Sequence, residues 1–215
     1  MNQEGLTQDH FTEKSIVDAV LLFAQACRYE KEHSQQVTRL ALRIFDELHV
    51  LHKFTLRERL WLQAAGLLHD IGWVKGRVDH HKTARDMIIA SDLPLEQLEK
   101  IIVALTARYH RRSFPQETHK YFSDLTAADK DIVRKLASFL RMADGLDRSH
   151  ISSVDNLTCE ILPKKMIVKI QSKSFPPDDQ LFGKKKADLF ESVWQMEVVI
   201  EPPTKKNGSE NFRCE

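Results

Sequence analysis

Three features that mark whole classes of protein are scarce in this sequence: cysteine, long apolar runs and an excess of charge of one sign. Its three cysteines are widely spaced and form no CxxC pair, which argues against a disulfide framework or a zinc ribbon and favours a reducing compartment. No apolar run approaches the roughly 20 residues that a membrane-spanning helix requires. The formal net charge is only +1, so nucleic acid is not an expected partner. Because the N-terminus also lacks an apolar signal segment, we expect a cytoplasmic protein with no membrane partner.

Glycine and proline are also scarce, with 7 of each in 215 residues, which favours long regular elements with few breaks. Apolar residues recur with helical spacing through most of the first 150 residues. Thr55 with Glu58 forms a capping-box pattern, and Thr126 suits the cap of a later helix. After about Ile151 the pattern changes to strand-like alternation, with one short helix predicted over 181–191.

These patterns predict a mainly α fold, a helical bundle with a small C-terminal α+β appendage of about three strands and one helix. The helical domain is expected over 12–150 and the appendage over 151–202. Residues 1–11 are a predicted flexible leader and residues 203–215 a predicted disordered tail, since both are polar chain ends.

The dipeptide His69-Asp70 stands at the end of an apolar helical run, in the stretch LLHDIGW. Leucines and alanines upstream of it recur with helical spacing and mark a buried face, and Gly72 is a plausible helix stop signal. A carboxylate at the end of a buried face is costly unless a partner compensates its charge. A divalent metal ion would compensate both residues.

Two further residues of ligand type stand on apolar helix faces. His33 opens the stripe of a helix predicted over 32–50, and Asp144 continues the stripe of a helix predicted over 126–144. A lone histidine in such a place is more often a core or capping residue. Taken together with His69-Asp70, however, these side chains lie on faces that must pack on one core. Imidazole nitrogen and carboxylate oxygen suit Zn, Fe, Mn, Co or Ni.

The ordered pattern H…HD…D on a helical body resembles the HD superfamily of metal-dependent phosphohydrolases. The longer pattern HDIGW…HHKTARDMIIASDLP…ARYHRR…LRMADGLDRS is similar to the C-terminal, HD-like half of the Ppx/GppA exopolyphosphatase and guanosine-pentaphosphatase family. The resemblance covers roughly residues 11–202. That family's actin-like N-terminal domain, which carries its hydrolytic activity, has no counterpart here, so we expect a free-standing version of the accessory half.

The resemblance implies a divalent transition metal (Mn, Fe, Co, Ni or Zn), bound as one or two ions. The predicted ligands of the first ion are His33, His69, Asp70 and Asp144, and His69 and Asp70 are also the predicted catalytic residues. His81 and His110 match positions at which two-metal HD enzymes place further ligands. His80 is the neighbouring alternative to His81, and the sequence does not separate the two.

Phosphoester hydrolysis at such a site also needs cationic side chains that stabilise charge on the phosphoryl oxygens. Lys82, Arg111 and Arg148 are the predicted phosphate-binding residues, because they flank the predicted ligands in sequence. The basic run 184–186 is more simply explained as an exposed helical turn. Asp147 is either a carboxylate that orients a ligand histidine or a plain charge at a helix end.

The sequence therefore predicts an HD-type metal-dependent phosphohydrolase that acts on a nucleotide or other phosphoester. The alternative is a non-catalytic module that binds polyphosphate or a nucleotide and dimerises, as the resemblance also allows. A purely structural helical domain is a third interpretation, but it would require the whole set of ligand types to coincide. The expected partner is a small phosphorylated ligand, with a homodimer left open.

Overall fold

The structure, a computed structural model, describes residues 12–203. The predicted leader, and the predicted tail from residue 204 onward, lie outside the described residues. Within 12–203, no helix combines the length and the apolar character needed to cross a membrane.

The fold is mainly α, with a small α+β appendage at its C-terminal end, as the sequence predicts. A short 3-10 helix, Ile71–Lys75, follows the helix that carries His69. The α-helices of the body, in chain order, are α1 Glu13–Ala26, α2 Lys31–Glu47, α3 His49–His52, α4 Leu56–Leu68, α5 His80–Ile89, α6 Gln97–Arg108 and α7 Ala127–Leu146.

Two of the helix starts form as their sequence signals predict. Thr55 caps α4: its side chain accepts from the Arg57 N–H, and the Glu58 carboxylate accepts from the Thr55 N–H at 2.8 Å. Thr126 caps α7, where its hydroxyl oxygen accepts from the Asp129 N–H at 3.2 Å. These caps satisfy backbone donors that the first helical turn leaves without partners.

The core of the body lies where α2, α4 and α6 pack against α7. The buried face of α7 runs from Val133 through Leu140 to Leu146, and all three side chains are fully buried. Asp144 lies on this face, and Asp147 follows directly as the residue that ends the helix. The apolar stripes thus bring the ends of α2, α4 and α7 together, which is where the predicted ligands stand.

The appendage is a three-stranded sheet with two helices in its crossover. The strands are β1 Asn156–Leu162, β2 Lys165–Gln171 and β3 Glu197–Glu201, in the order β1-β2-β3. The β1 and β2 strands are antiparallel, with Leu162 opposite Lys165, whereas β2 and β3 are parallel.

The crossover contains two helices, α8 Pro177–Lys186 and α9 Asp188–Trp194, rather than the single helix expected over 181–191. Pro177 suits a helical first turn, so α8 starts earlier than predicted. The chain turns at Ala187, and the Asp188 carboxylate then accepts from the Leu189 N–H at 2.7 Å. This local bond competes with a continuous helix.

Two glycines allow backbones to approach closely beside the predicted site. A Cβ at Gly72 would lie 2.0 Å from the His80 carbonyl oxygen, and a Cβ at Gly145 would lie 2.5 Å from the Phe182 carbonyl oxygen. Gly72 is therefore a packing residue between the 3-10 helix and α5, in addition to following the end of α4. Gly145 lets α8 lie directly against α7, which places the end of α8 beside Asp144.

Candidate metal centre

Asp70 lies at the centre of the predicted site, between the end of α4 and the 3-10 helix. The His80 Nε2 atom lies 3.2 Å and the His110 Nε2 atom 3.5 Å from its Oδ1, and the His69 Nε2 atom lies 3.5 Å from its Oδ2. All three rings are buried. One carboxylate thus faces three imidazole rings that come from three separate segments.

The other nitrogen of each ring is held by a backbone carbonyl. Nδ1 of His69 lies 2.7 Å from the Gly66 oxygen, Nδ1 of His110 lies 2.6 Å from the Ala107 oxygen, and Nδ1 of His80 lies 3.0 Å from the Arg77 oxygen. A carbonyl oxygen only accepts, so Nδ1 carries the proton in each ring. In the neutral rings, Nε2 is left with a lone pair directed at the Asp70 carboxylate.

Lone pairs facing a carboxylate repel it unless a cation lies between them. Within the described residues, neither Nε2 of His69 nor Oδ1 of Asp70 has a hydrogen-bond partner, although both are buried. Buried polar atoms without partners are uncommon and costly in a folded protein. Histidines whose Nδ1–H is held by an oxygen and whose Nε2 is free are typical of metal ligands.

A second part of the site surrounds Asp144. Nε2 of His33 lies 3.5 Å from Oδ1 of Asp144, and Nδ1 of His33 donates to Oδ2 of Asp147 at 2.8 Å. The sequence left two roles open for Asp147: a carboxylate that orients a ligand histidine, or a plain charge at a helix end. The bond to His33 fits the first role. His150, which sequence reasoning did not select, stacks on His33 with ring centroids 3.8 Å apart.

Two groups of side chains in the described chain have the spacing that a metal ion needs, and both include Asp70. One is His33, His69 and Asp70, and the other is Asp70, His80 and His110; in each, the ligand atoms lie within 4.8 Å of one another. These nitrogen and oxygen donors fit a divalent transition ion. Because Asp70 belongs to both groups, an ion held by either group would contact the same carboxylate.

The geometry favours His80 over His81 as the second histidine of this region. His80 lies against Asp70, whereas His81 is in neither of the two groups. His81 is buried, and burial together with the charge of His80 lowers its pKa to about 4. Nε2 of His80 also accepts from the Arg111 guanidinium at 3.0 Å, so this lone pair already has one donor.

Asp144 has a partner that the sequence analysis did not anticipate. The Lys186 ammonium, at the end of α8, donates to Oδ2 of Asp144. Burial would raise the pKa of Asp144, but Lys186, His33 and the other neighbouring cations outweigh burial and hold it well below its usual range. Asp144 therefore stays ionised, and part of its charge is compensated by the protein itself.

The charges at the two carboxylates are strongly coupled. Burial would raise the pKa of Asp70, but the neighbouring rings of His69, His80 and His110 lower it instead. Burial would lower the pKa of His33, yet its bonds to Asp144 and Asp147 raise it to about 10. For His110 burial dominates and lowers the pKa to about 3, which keeps its Nε2 free to act as a ligand.

A cleft of about 460 Å³ opens onto both carboxylates, and residues of the helical body and of α8 line it. Arg111 and Arg148, two of the predicted phosphate-binding residues, line it. Lys82, the third, does not line the cleft and pairs instead with Asp79 at 3.0 Å. The basic lining residues are Arg77, Arg111, Arg112, Arg141, Arg148, Lys185 and Lys186.

Sequence reasoning missed the contribution of α8 to this cleft. Lys185 and Lys186 line it, while Lys184 of the same run turns away and pairs with Glu191. Arg141 was missed as well, and the Asp188 carboxylate holds its guanidinium through bonds of 2.7 and 2.9 Å. The signal available in the sequence was the basic run itself, but nothing in it indicates which lysine faces Asp144.

Comparison with known families agrees with this architecture. The family model described as Ppx/GppA phosphatase, domain III, matches residues 18–182. The chain belongs to the Ppx/GppA family. The match includes α2 to α7 and extends into α8, so it covers all the candidate ligands together with Arg111 and Arg148. No curated protein matches the chain.

Proposed function

We propose that this member of the Ppx/GppA family is a metal-dependent phosphohydrolase of the HD type, which acts on a nucleotide or other phosphoester. The observation that carries the proposal is the arrangement at Asp70. Three buried histidines present Nε2 to one carboxylate while backbone carbonyls hold each Nδ1–H. Arg111 donates to Nε2 of His80, but the lone pairs of His69 and His110 still face the carboxylate, which is unfavourable unless a cation lies between them. A divalent ion would be that cation.

In this proposal the first ion is held by His33, His69, Asp70 and Asp144, and His80 and His110 are the ligands available for a second. The ion is Mn, Fe, Co, Ni or Zn, since the donors are imidazole nitrogen and carboxylate oxygen. A divalent ion supplies two effects when bound: it lowers the pKa of a coordinated water and polarises phosphoryl oxygens.

The side chains of the cleft bind and orient the phosphorylated substrate. Arg111 and Arg148 line the cleft beside the carboxylates, where their guanidinium groups can bind phosphoryl oxygens in a bidentate manner. Arg148 is supported by Phe182, with its Cζ 5.1 Å from the ring centroid. Asp147 keeps the His33 ring in place through Nδ1, so the orientation of that ligand does not depend on solvent.

Metal analysis followed by a substrate panel tests this function. Purified protein should bind one or two Mn, Fe, Co, Ni or Zn ions per chain. It should then hydrolyse at least one of a mononucleotide, a dinucleotide, a cyclic nucleotide, a polyphosphate or an aryl phosphate. Asp70→Ala should lose both properties, whereas Asp79→Asn, an exposed carboxylate before α5, should keep them. Protein that binds no such ion would contradict the proposal.

One observation favours a second candidate function, a non-catalytic module that binds polyphosphate or a nucleotide and dimerises. The Lys186 ammonium already compensates Asp144, and the cleft carries many basic side chains around few carboxylates. Such a cleft can bind a polyanion without chemistry. Metal-loaded protein that binds tripolyphosphate or a nucleotide but hydrolyses nothing in the panel would favour this module.

A further inference from the structure

Arg108, the last residue of α6, is a buried arginine without an anionic partner. Its exposed fraction is 5%, and its Nε atom has no hydrogen-bond acceptor in the part of the chain that the structure describes. The other buried arginines in that part each pair with a carboxylate: Arg85 with Asp86 and Arg141 with Asp188. Arg108 is therefore exceptional.

An unpaired guanidinium is costly to bury, because it cannot relieve the cost by losing its proton in the physiological range. Burial lowers the pKa of Arg108 from its ordinary value, but a guanidinium stays charged. The Tyr109 ring, 5.0 Å from its Cζ, lies within range of a cation–π contact, but it carries no net charge that would balance the guanidinium. An anion beside Arg108 would remove the cost.

The surroundings of Arg108 are also basic. Lys82 and Arg85 lie about one turn apart on α5, and Arg108 ends α6. Burial, together with the charges of these three cations, lowers the pKa of His119. His119 is fixed by the Tyr109 hydroxyl, 2.9 Å from its Nδ1. Arg85 is buried and belongs to α5, which packs directly against α6.

The carboxylates near this group are already engaged. Asp86 accepts from the Arg85 guanidinium at 2.8 and 2.9 Å, and Asp79 accepts from Lys82 at 3.0 Å. Glu117 is bonded by Lys130 and Arg134. The charge of Arg108 is thus left for a ligand that comes from solvent.

This group lies outside the cleft of the candidate metal centre. The cleft is lined by Arg111 and Arg112 from the same stretch of chain, but not by Lys82, Arg85 or Arg108. Lys82, which the sequence assigned to phosphate binding, therefore belongs to a different group from Arg111 and Arg148. The basic residues that flank the predicted ligands separate into two sets on folding.

We propose that Arg108, Arg85 and Lys82 form a second oxyanion site, outside the metal cleft, which binds a phosphate group. The two packed helices α5 and α6 supply guanidinium and ammonium groups, which match the oxygens of a phosphate. The phosphate is either free inorganic phosphate or one group of a longer phosphorylated ligand that also enters the cleft. The site does not depend on hydrolytic activity.

Titration of metal-free, full-length protein with inorganic phosphate and with tripolyphosphate tests the proposal by calorimetry and by thermal unfolding. Arg108→Met should weaken the binding of at least one probe about tenfold or more, as the loss of a charge-assisted contact predicts. The matched control is Arg134→Met, an arginine that already has a carboxylate partner. Arg148→Met reports on the cleft.

The two sources of phosphate give different patterns. If the ligand is free phosphate, Arg108→Met weakens inorganic phosphate binding and Arg148→Met does not. If the ligand spans both sites, each variant weakens tripolyphosphate binding. Arg108→Met should unfold at the same temperature as wild type or higher without anion, and should lose the rise in unfolding temperature that the anion causes.

Wild-type protein that shows no saturable binding of either probe would overturn the proposal. Unchanged affinities for both probes in Arg108→Met would also overturn it, as would a lower unfolding temperature with the anion-dependent rise intact, since that marks a purely structural arginine. If Arg108→Met fails to fold, Arg85→Met takes its place and is judged by anion affinity alone, because the pairing of Arg85 with Asp86 affects stability by itself.

Discussion

The two carboxylates of the candidate metal centre have opposite surroundings. Asp70 faces the Nε2 atoms of His69, His80 and His110, and its Oδ1 has no hydrogen-bond partner in the described residues. Asp144 is bonded by the Lys186 ammonium and lies beside His33. Charge compensation is left to a ligand at Asp70 and is supplied partly by the chain at Asp144.

This difference predicts that the Asp70 end of the site depends more on a bound ion than the Asp144 end does. A buried carboxylate that faces neutral donors needs a cation from outside, so the Asp70 end should be stable and well ordered only with a metal. A buried carboxylate with its own ammonium is balanced without one, although the ammonium then competes with any ion for Asp144.

Removal of Asp70 should have the largest effect. Asp70→Ala deletes the carboxylate that both groups of candidate ligands share. Metal affinity should therefore fall more than about 100-fold, which exceeds the typical cost of losing a residue that only orients a ligand. Hydrolysis should fall to background. Calorimetric titration with Mn and Co, together with phosphoester turnover, measures both effects.

The matching variant Asp144→Ala should lose less metal affinity, because Asp144 belongs to neither group of closely spaced ligand atoms and both groups remain intact. Circular dichroism should show that both variants keep the helical fold. Equal losses in the two variants would mean that the ends of the site are not asymmetric. Full turnover in Asp70→Ala would contradict the whole assignment.

Gly72→Ala should disrupt the Asp70 end through the backbone. The new Cβ would meet the His80 carbonyl oxygen at 2.0 Å and the Ala84 nitrogen at 2.8 Å, and neither atom can move without α5. Overpacking of this kind costs about 1–3 kcal/mol, occasionally more. Urea unfolding should report that loss, and metal binding that involves His80 should weaken with it.

Gly145→Ala is the equivalent change at the Asp144 end, where the new Cβ would meet the Phe182 oxygen at 2.5 Å. It should displace α8 and with it Lys186. Because the Asp70 ligands do not lie on α8, metal affinity should change less than in Gly72→Ala. If Gly145→Ala weakens metal binding more, the comparison of the two ends is wrong.

Asp147→Asn should weaken metal binding through His33. Oδ2 of Asp147 accepts from His33 Nδ1 at 2.8 Å, and Oδ1 accepts from the Ser152 N–H at 2.9 Å. An asparagine has one acceptor oxygen, so one of the two bonds is lost. Loss of a group that orients a metal ligand typically costs 10–100-fold in affinity, which metal titration would detect.

The control for this change is Asp131→Asn, an exposed carboxylate of α7 that pairs with Lys135, and it should leave metal affinity unchanged. Unchanged affinity in Asp147→Asn as well would mean that Asp147 is only a charge at a helix end.

The convergence of the candidate ligands was more predictable from sequence than the contacts that surround them, for a physical reason. Periodic apolar faces determine how helices pack, so the positions of His33, His69 and Asp144 on those faces predicted that they converge. Local signals also sufficed at Thr55 and Thr126, whose caps involve only neighbouring residues. The fold class followed from the same patterns.

Contacts between segments far apart in sequence were not predictable. Nothing local indicates that Lys186 meets Asp144, since this contact depends on the close approach of Gly145 to Phe182. The orientation of adjacent histidines is likewise set by packing: His80 meets Asp70 because Gly72 lies against the start of α5. The separation of Lys82 from Arg111 has the same origin.

Lys186→Met should have the smallest effect on metal affinity. The direction of that change tests whether Lys186 competes with an ion for Asp144. Without Lys186, Asp144 is free to bind an ion, so metal affinity should rise about tenfold, equivalent to ~1.4 kcal/mol. Metal-free protein should become less stable, because Asp144 loses its partner, and bound metal should restore the stability. Calorimetric titration and thermal unfolding with and without Mn measure both quantities.

Lys184→Met provides the matched control on the same helix, since Lys184 pairs with Glu191 and does not line the cleft. It should change neither metal affinity nor the stabilisation by metal. If Lys186→Met weakens metal binding, the lysine supports the ion site instead of competing for Asp144. Asp70 and Asp144 would then both bind the ion with the help of neighbouring side chains. The two ends of the site would differ only in the segment that supplies those side chains.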